Sequence, residues 1–117
     1  MKEATHESLL PGRDPPTAAQ IEATVGLLEL LADATRLQIL WALSAGEFDV
    51  TSLVAMTGST KTATSQHLAR LRDANLVTVR RDGRHKIYRL ASGHLRKLIR
   101  EALYQADHLI QDLPPHK

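Results

Sequence analysis

Between Asp49 and Leu90 the hydrophobic period of the chain changes once, and that change limits the fold more than any other feature of the sequence. Asp49 is suited to cap a short helix through about Met56, and Gly58 supplies the stop that helix C-termini favour. Thr60 caps another helix to about Ala74, so that two helices are joined by Thr57-Gly58-Ser59. A turn of three to four residues containing glycine is the mark of a helix-turn-helix. From Leu76 the period becomes two: Leu76-Val77-Thr78-Val79-Arg80 and Lys86-Ile87-Tyr88-Arg89-Leu90 alternate, joined around Asp82-Gly83 by Arg81-Asp82-Gly83-Arg84-His85. That pattern predicts a β-hairpin placed directly after the second helix.

The flanking sequence predicts more helices. Residues 1–16 read as a flexible N-terminal tail, because Pro11-Gly12 and Pro15-Pro16 oppose regular structure. A first helix is expected over about 17–32, with Ile21, Val25, Leu28 and Leu31 on one stripe, widened by Leu27 and Leu30. Asp33 caps a second over about 34–44, ended by Gly46, and a last helix spans roughly 92–110 before Pro114-Pro115. The fold class is therefore mainly α with a β-hairpin wing (α+β), a winged helix-turn-helix ordered α-α-α-α-β-β-α. It is expected to occupy residues 17–111, with 112–117 as a C-terminal tail. Only Trp41, Phe48, Tyr88 and Tyr104 are aromatic, so Leu, Ile, Val and Ala must build the core. The first and last helices carry more apolar surface than a solvent-facing helix needs, and chains of this size often complete their core by dimerising.

Charge decides what such a fold would meet. Residues 60–100 hold eleven of the fifteen Lys and Arg residues and only Asp73 and Asp82 as acids, a net charge of +9, whereas 1–59 and 101–117 are acidic. A basic middle between acidic ends points to a polyanion, most often nucleic acid. At 100° per residue Thr64, Leu68 and Leu71 turn toward the core, leaving Thr62, Ser65, Gln66 and Ala69 outside, a small polar face able to approach base edges in a major groove about 12 Å wide. Gln66 suits a bidentate contact to adenine; Lys61 suits guanine or phosphate; Thr62 and Ser65 suit phosphate oxygens. Arg70 joins this set. The competing reading is an ordinary exposed polar face, and His67 on the flank is equally compatible with a structural role. Arg80, Arg81, Arg84, His85 and Lys86 crowd the hairpin tip and suit contacts to the DNA backbone or minor groove.

Other classes are set aside on composition. The chain has no cysteine, which removes disulfides, thiolate metal sites and cysteine nucleophiles. No apolar run approaches the ~18 residues of a membrane span, and no signal-peptide core opens the chain, so a cytoplasmic location is expected. Asp73 and Asp82 stand apart among arginines, and no acid/base pair or activated nucleophile clusters, so the chain is not expected to be an enzyme.

Three stretches in order, Leu31-Ala32-Asp33-Ala34-Thr35-Arg36-Leu37-Gln38-Ile39-Leu40, Thr64-Ser65-Gln66-His67-Leu68-Ala69-Arg70-Leu71 and Gly83-Arg84-His85-Lys86-Ile87-Tyr88-Arg89-Leu90, resemble the ArsR/SmtB family. The resemblance covers about 18–110. It implies a homodimer built through the first and last helices, binding inverted-repeat, double-stranded operator DNA with half-sites about 34 Å apart. It also implies a repressor released from DNA by a metal ion, with specific contacts at Lys61, Thr62, Ser65 and Gln66.

The histidines are His6, His67, His85, His94, His108 and His116. On the last helix His94 and His108 are fourteen residues apart and so share a face, yet lie about 21 Å apart along the axis. One ion cannot reach both within one chain. If two copies of this helix cross antiparallel about a dyad near Glu101, His94 of each meets His108 of the other, giving two equivalent interfacial sites. The family's sensing site lies on this helix, formed by an Asp-x-His pair and a His-x-x-His pair from two subunits. This chain departs from it: Ser92 stands at the aspartate and Gln105 at the first histidine of the second pair. Asp107-His108 with His116 is more similar to the family's nickel- and cobalt-sensing branch, and His6 is a further candidate. Nitrogen and oxygen donors without sulfur suit Ni²⁺ or Co²⁺, and also Zn²⁺. Asp107 points about 140° from His94, off the shared face. The alternative is a winged-helix regulator without a metal effector, switched by another ligand or a protein partner.

Overall fold

The computed structural model describes residues 14–112. Those residues fall into two units that divide between Leu31 and Ala32. The first contains α1 (Ala18–Leu31). Its start is a reciprocal capping box: Gln20 N–H donates to Thr17 Oγ1 (3.1 Å), and Thr17 N–H donates to Gln20 Oε1 (2.8 Å). None of its residues is buried, and Ile21, Val25 and Leu28, at i, i+4 and i+7, are each about half exposed. The stripe read from the sequence is present and unburied.

The second unit contains α2 (Ala34–Ala45), β1 (Phe48–Asp49), α3 (Val50–Thr57), α4 (Lys61–Asp73), β2 (Val77–Asp82), β3 (His85–Leu90) and α5 (Gly93–Asp112). Ile39, Leu40 and Leu43 of α2, Leu53 of α3, Leu68 and Leu71 of α4, Val77 of β2 and Ile99 of α5 are all at most 1% exposed, and they form its core. Asp33 caps α2 by accepting from Arg36 N–H (2.9 Å). Arg96 of α5 donates through Nε to the Ser44 carbonyl of α2 (3.0 Å), satisfying a group that the end of a helix leaves without an intrahelical partner.

The sheet is antiparallel in the order β1-β3-β2. Only the hairpin of β2 and β3 is legible in the sequence. β1 is two residues long, pairing Phe48 with Tyr88 and Asp49 with Ile87, too short for any periodicity to announce it. The hairpin is also tighter than expected. Asp82 pairs with His85, so only Gly83 and Arg84 form the loop. Gly83 alone of the two has positive φ (64°), the arrangement of a II′ turn, which matches the twist of the flanking strands. Between α4 and β2 the chain turns through Asn75 in the left-handed region (φ 65°). Asn75 N–H donates to the Arg72 carbonyl and Leu76 N–H to the Leu71 carbonyl, both 2.9 Å, which is the Schellman pattern. That closure launches the ribbon directly from the end of α4.

Candidate nucleic-acid interface

Three local devices set the helix-turn-helix. Asp49 caps α3, accepting from Ser52 N–H (2.8 Å). Gly58 ends α3 in the left-handed conformation (φ 74°), its N–H donating to the Val54 carbonyl. Thr60 caps α4, accepting from Ala63 N–H (3.0 Å). On α4, Thr64, Leu68 and Leu71 are fully buried, and Thr62, Ser65, Gln66 and Ala69 are exposed. Lys61 and Arg70 are exposed as well. None of the side chains of Lys61, Thr62, Ser65, Gln66 and Arg70 is tied by a hydrogen bond or ion pair among the described residues. The outer face of α4 is thus small, polar and unengaged, while its inner face anchors it in the core.

Ribbon residues separate into two faces by register. Val77↔Leu90, Val79↔Tyr88 and Arg81↔Lys86 lie on one face; Thr78↔Arg89, Arg80↔Ile87 and Asp82↔His85 lie on the other. Two of the five cationic or histidine residues assigned to the tip turn out to have partners in the scaffold. Arg80 donates through Nε to Glu47 Oε1 (3.0 Å) and places a second nitrogen 2.9 Å from the same oxygen. His85 Nδ1 lies 3.4 Å from Asp49 Oδ2. Both partners sit in or beside β1, the strand that the sequence did not reveal. Arg81, Arg84 and Lys86 remain exposed without an ion pair among the described residues.

The caps carry the electrostatics of the scaffold. Asp49 is held below its ordinary 3.8, first by the Ser52 N–H, then by the Ser52 hydroxyl, with the His85 charge assisting against partial desolvation. Asp33 is lowered chiefly by the Arg36 N–H, aided by the charges of Arg36 and His67 and opposed by desolvation. His67 Nε2, half-buried, lies 4.0 Å from Asp33 Oδ2. That contact links α4 to the start of α2, so His67 belongs to the scaffold.

On α5, His94, Asp107 and His108 are exposed. Ser92 Oγ accepts from Leu95 N–H (3.2 Å) and so serves the first turn of α5. Asp107 Oδ2 accepts from Gln111 Nε2 (3.0 Å), and Asp107 lines a cleft with Trp41, Arg100, Leu103 and Tyr104. Tyr104 packs edge-on against His108, with ring centres 5.2 Å apart. Among the described residues no three His, Cys, Asp or Glu side chains are grouped to hold a metal ion. His6 and His116 lie outside the described residues.

A helix anchored by its inner face, an open polar outer face and a basic two-stranded ribbon launched from its end define a winged helix-turn-helix, a class of DNA-binding protein. Residues 33–79 match the model for bacterial regulatory proteins of the arsR family. The HTH-type transcriptional regulator KmtR of Mycobacterium tuberculosis is 42% identical over 105 residues, covering 90% of this chain and 81% of KmtR. NmtR of the same species is 38% identical over 96 residues, covering 82% and 78%. Among solved structures, the antimony-specific transcriptional repressor AntR superposes with a TM-score of 0.79 at 30% identity, covering 94% of this chain and all of AntR. The homodimeric winged helix-turn-helix DNA-binding domain of Mycobacterium bovis Mb0332 gives 0.74 at 30% identity, covering 92% and 100%. The chain belongs to the ArsR/SmtB family of DNA-binding transcriptional repressors, and it is not an enzyme. No helix among the described residues is long and apolar enough to cross a membrane.

Proposed function

We propose that this protein is a homodimeric, metal-responsive repressor that binds inverted-repeat operator DNA and is released when Ni²⁺, Co²⁺ or Zn²⁺ binds between its two α5 helices. The observation that carries the DNA part is the outer face of α4, where Lys61, Thr62, Ser65, Gln66 and Arg70 are exposed and unengaged beside a basic ribbon. Gln66 reads a base edge, Lys61 a guanine or a phosphate, and Thr62, Ser65 and Arg70 set the register on the backbone. Arg81, Arg84 and Lys86 of the wing contact the backbone. Arg80 and His85 act less directly, since each already has an acidic partner.

A second copy is favoured by unburied apolar surface. On α1 it is the stripe of Ile21, Val25 and Leu28; on α5, separately, it is Tyr104, Leu109 and Ile110. The metal part rests on His94 and His108, two exposed imidazoles on one side of α5 that only a second α5 brings within reach of one ion. The donors fit a nitrogen- and oxygen-preferring ion, but among the described residues a single protomer does not assemble them. His94, His108 and, from the C-terminal segment, His116 would hold the ion. Asp107 could join through Oδ1, since only its Oδ2 accepts from Gln111. An ion held there would cross-link the protomers, and DNA release would follow only if it preferred the conformer whose recognition helices are misplaced.

The second reading, a regulator of this fold without a metal effector, is favoured by the engagement of Asp107 with Gln111 and of Ser92 with the first turn of α5. Titrating Ni²⁺, Co²⁺ and Zn²⁺ into the protein–operator complex separates the two. Release by one of the ions, abolished by His94→Ala and by His108→Ala, supports the metal reading. Unchanged operator affinity with all three ions supports the other.

A further inference from the structure

Arg72 is a cation that the charge pattern did not assign, and the fold places it beside three that it did, Arg80, Arg81 and Lys86. The face bearing buried Val77, Tyr88 and Leu90 continues outward along the ribbon as Val79 and then as the directly opposed pair Arg81 and Lys86. Like charges facing each other across a ladder are unfavourable when nothing lies between them. Arg72, in the last turn of α4, joins Val79, Arg80, Arg81 and Lys86 around a cleft of about 310 Å³. Of these four cations only Arg80 is paired with an acid among the described residues, with Glu47. Arg72, Arg81 and Lys86 have no acidic partner among the described residues. Three uncompensated cations therefore converge on one concavity, drawn from both the helix that faces bases and the ribbon beside it.

We infer that this cleft is a phosphate seat, and that its occupant is a backbone phosphate of the bound duplex next to the groove occupied by α4. The inference rests on the DNA-binding reading above and extends it. Arg72 and Arg81 hold the phosphate oxygens through planar guanidinium forks, while Lys86 supplies a point charge. Because Arg72 is fixed to α4 and the other two to the wing, one phosphate sets the angle between recognition helix and wing. The contact is independent of sequence, since a phosphate carries no base identity.

The test is binding of the full chain to its operator and to a scrambled duplex, over potassium chloride from about 50 to about 200 mM. Arg72→Ala combined with Arg81→Gln should lower the slope of log K against log salt by about 0.9, the share of one phosphate, and each substitution alone by part of that, equally for both duplexes. Arg89→Ala, on the opposite ribbon face, removes the same charge and should leave the slope unchanged. Thermal melts of each variant confirm that it folds. Inorganic phosphate at matched ionic strength probes the alternative source of the same chemistry. Wild-type slope in both Arg72→Ala and Arg81→Gln overturns the seat while leaving DNA binding intact. Stabilisation by phosphate that is lost in Arg72→Ala, with its DNA slope unchanged, assigns the cleft to a free oxyanion and overturns the DNA assignment. A wild-type protein that binds neither duplex overturns both this inference and the reading beneath it.

Discussion

Thr64 gives the sharpest test of how α4 is mounted. It sits on the inner face of the helix, fully buried, and its hydroxyl has no hydrogen-bond partner among the described residues. A buried hydroxyl without a partner costs about 1–3 kcal/mol of desolvation. Thr64→Val replaces that hydroxyl by a methyl group of nearly the same shape, at a site flanked by buried Leu68 and Leu71. Valine and threonine have similar helix propensities, so the backbone term nearly cancels. A gain of about 1 kcal/mol is the cautious expectation, and for a domain of this size it raises the thermal midpoint by about 4–8 °C. The assay is a thermal melt at one fixed protein concentration, because a dimer's midpoint moves with concentration. Operator affinity should be unchanged, since the side chain faces away from DNA. A lower midpoint would refute the burial argument, and a large loss of affinity with a raised midpoint would refute the assignment of faces.

Further outcomes follow from the same geometry. Gln66→Ala should cost about 1–3 kcal/mol against the operator but not against scrambled duplex, with the melt unaltered; equal losses on both would make it a phosphate contact. Asp33 and Asp49 have folded-state values below the ordinary 3.8, so their caps contribute fully above that pH and are lost as pH falls through the lowered values. Urea denaturation from about pH 5 down to about pH 2 should therefore show falling stability, and Asp33→Asn with Asp49→Asn, which caps without titrating, should flatten the profile. Val25→Glu places a charge in the half-exposed stripe of α1 and should shift sedimentation toward the monomer; an unchanged dimer would remove α1 from the interface. Metal-induced release should weaken as pH falls, because imidazole must be neutral to ligate.

The parts of the fold visible in sequence are those set by near neighbours. Asp33, Asp49, Thr60 and Gly58 act within four residues of themselves, and each does in the structure what its residue type suggested. The inner and outer faces of α4 follow from the 100° step alone, which is why Thr64, Leu68 and Leu71 could be named as buried. What escaped detection is non-local. β1 exists only because Phe48 and Asp49 meet Tyr88 and Ile87 across the chain, and its neighbour Glu47 captures Arg80. Charge counting therefore overstated how many cations the wing leaves free, and it missed Arg72, which is brought to the ribbon by the turn at Asn75. The hairpin tightened because Asp82 and His85 stay in the ladder instead of joining the loop. Helix α5 runs to Asp112, past the expected end, with Gln111 bonded to Asp107 in its final turns. The expected N-terminal tail lies outside the described residues up to position 13, and the C-terminal one does from 113.

If two copies of this chain present paired α4 helices to one face of a duplex, the sequence they bind must carry a dyad. Selecting bound sequences from a random duplex pool and footprinting the enriched site with hydroxyl radicals tests it directly. The expected result is an inverted repeat with two protected patches on one face, centred about 34 Å apart. No enrichment, or one protected patch without a dyad, would contradict it.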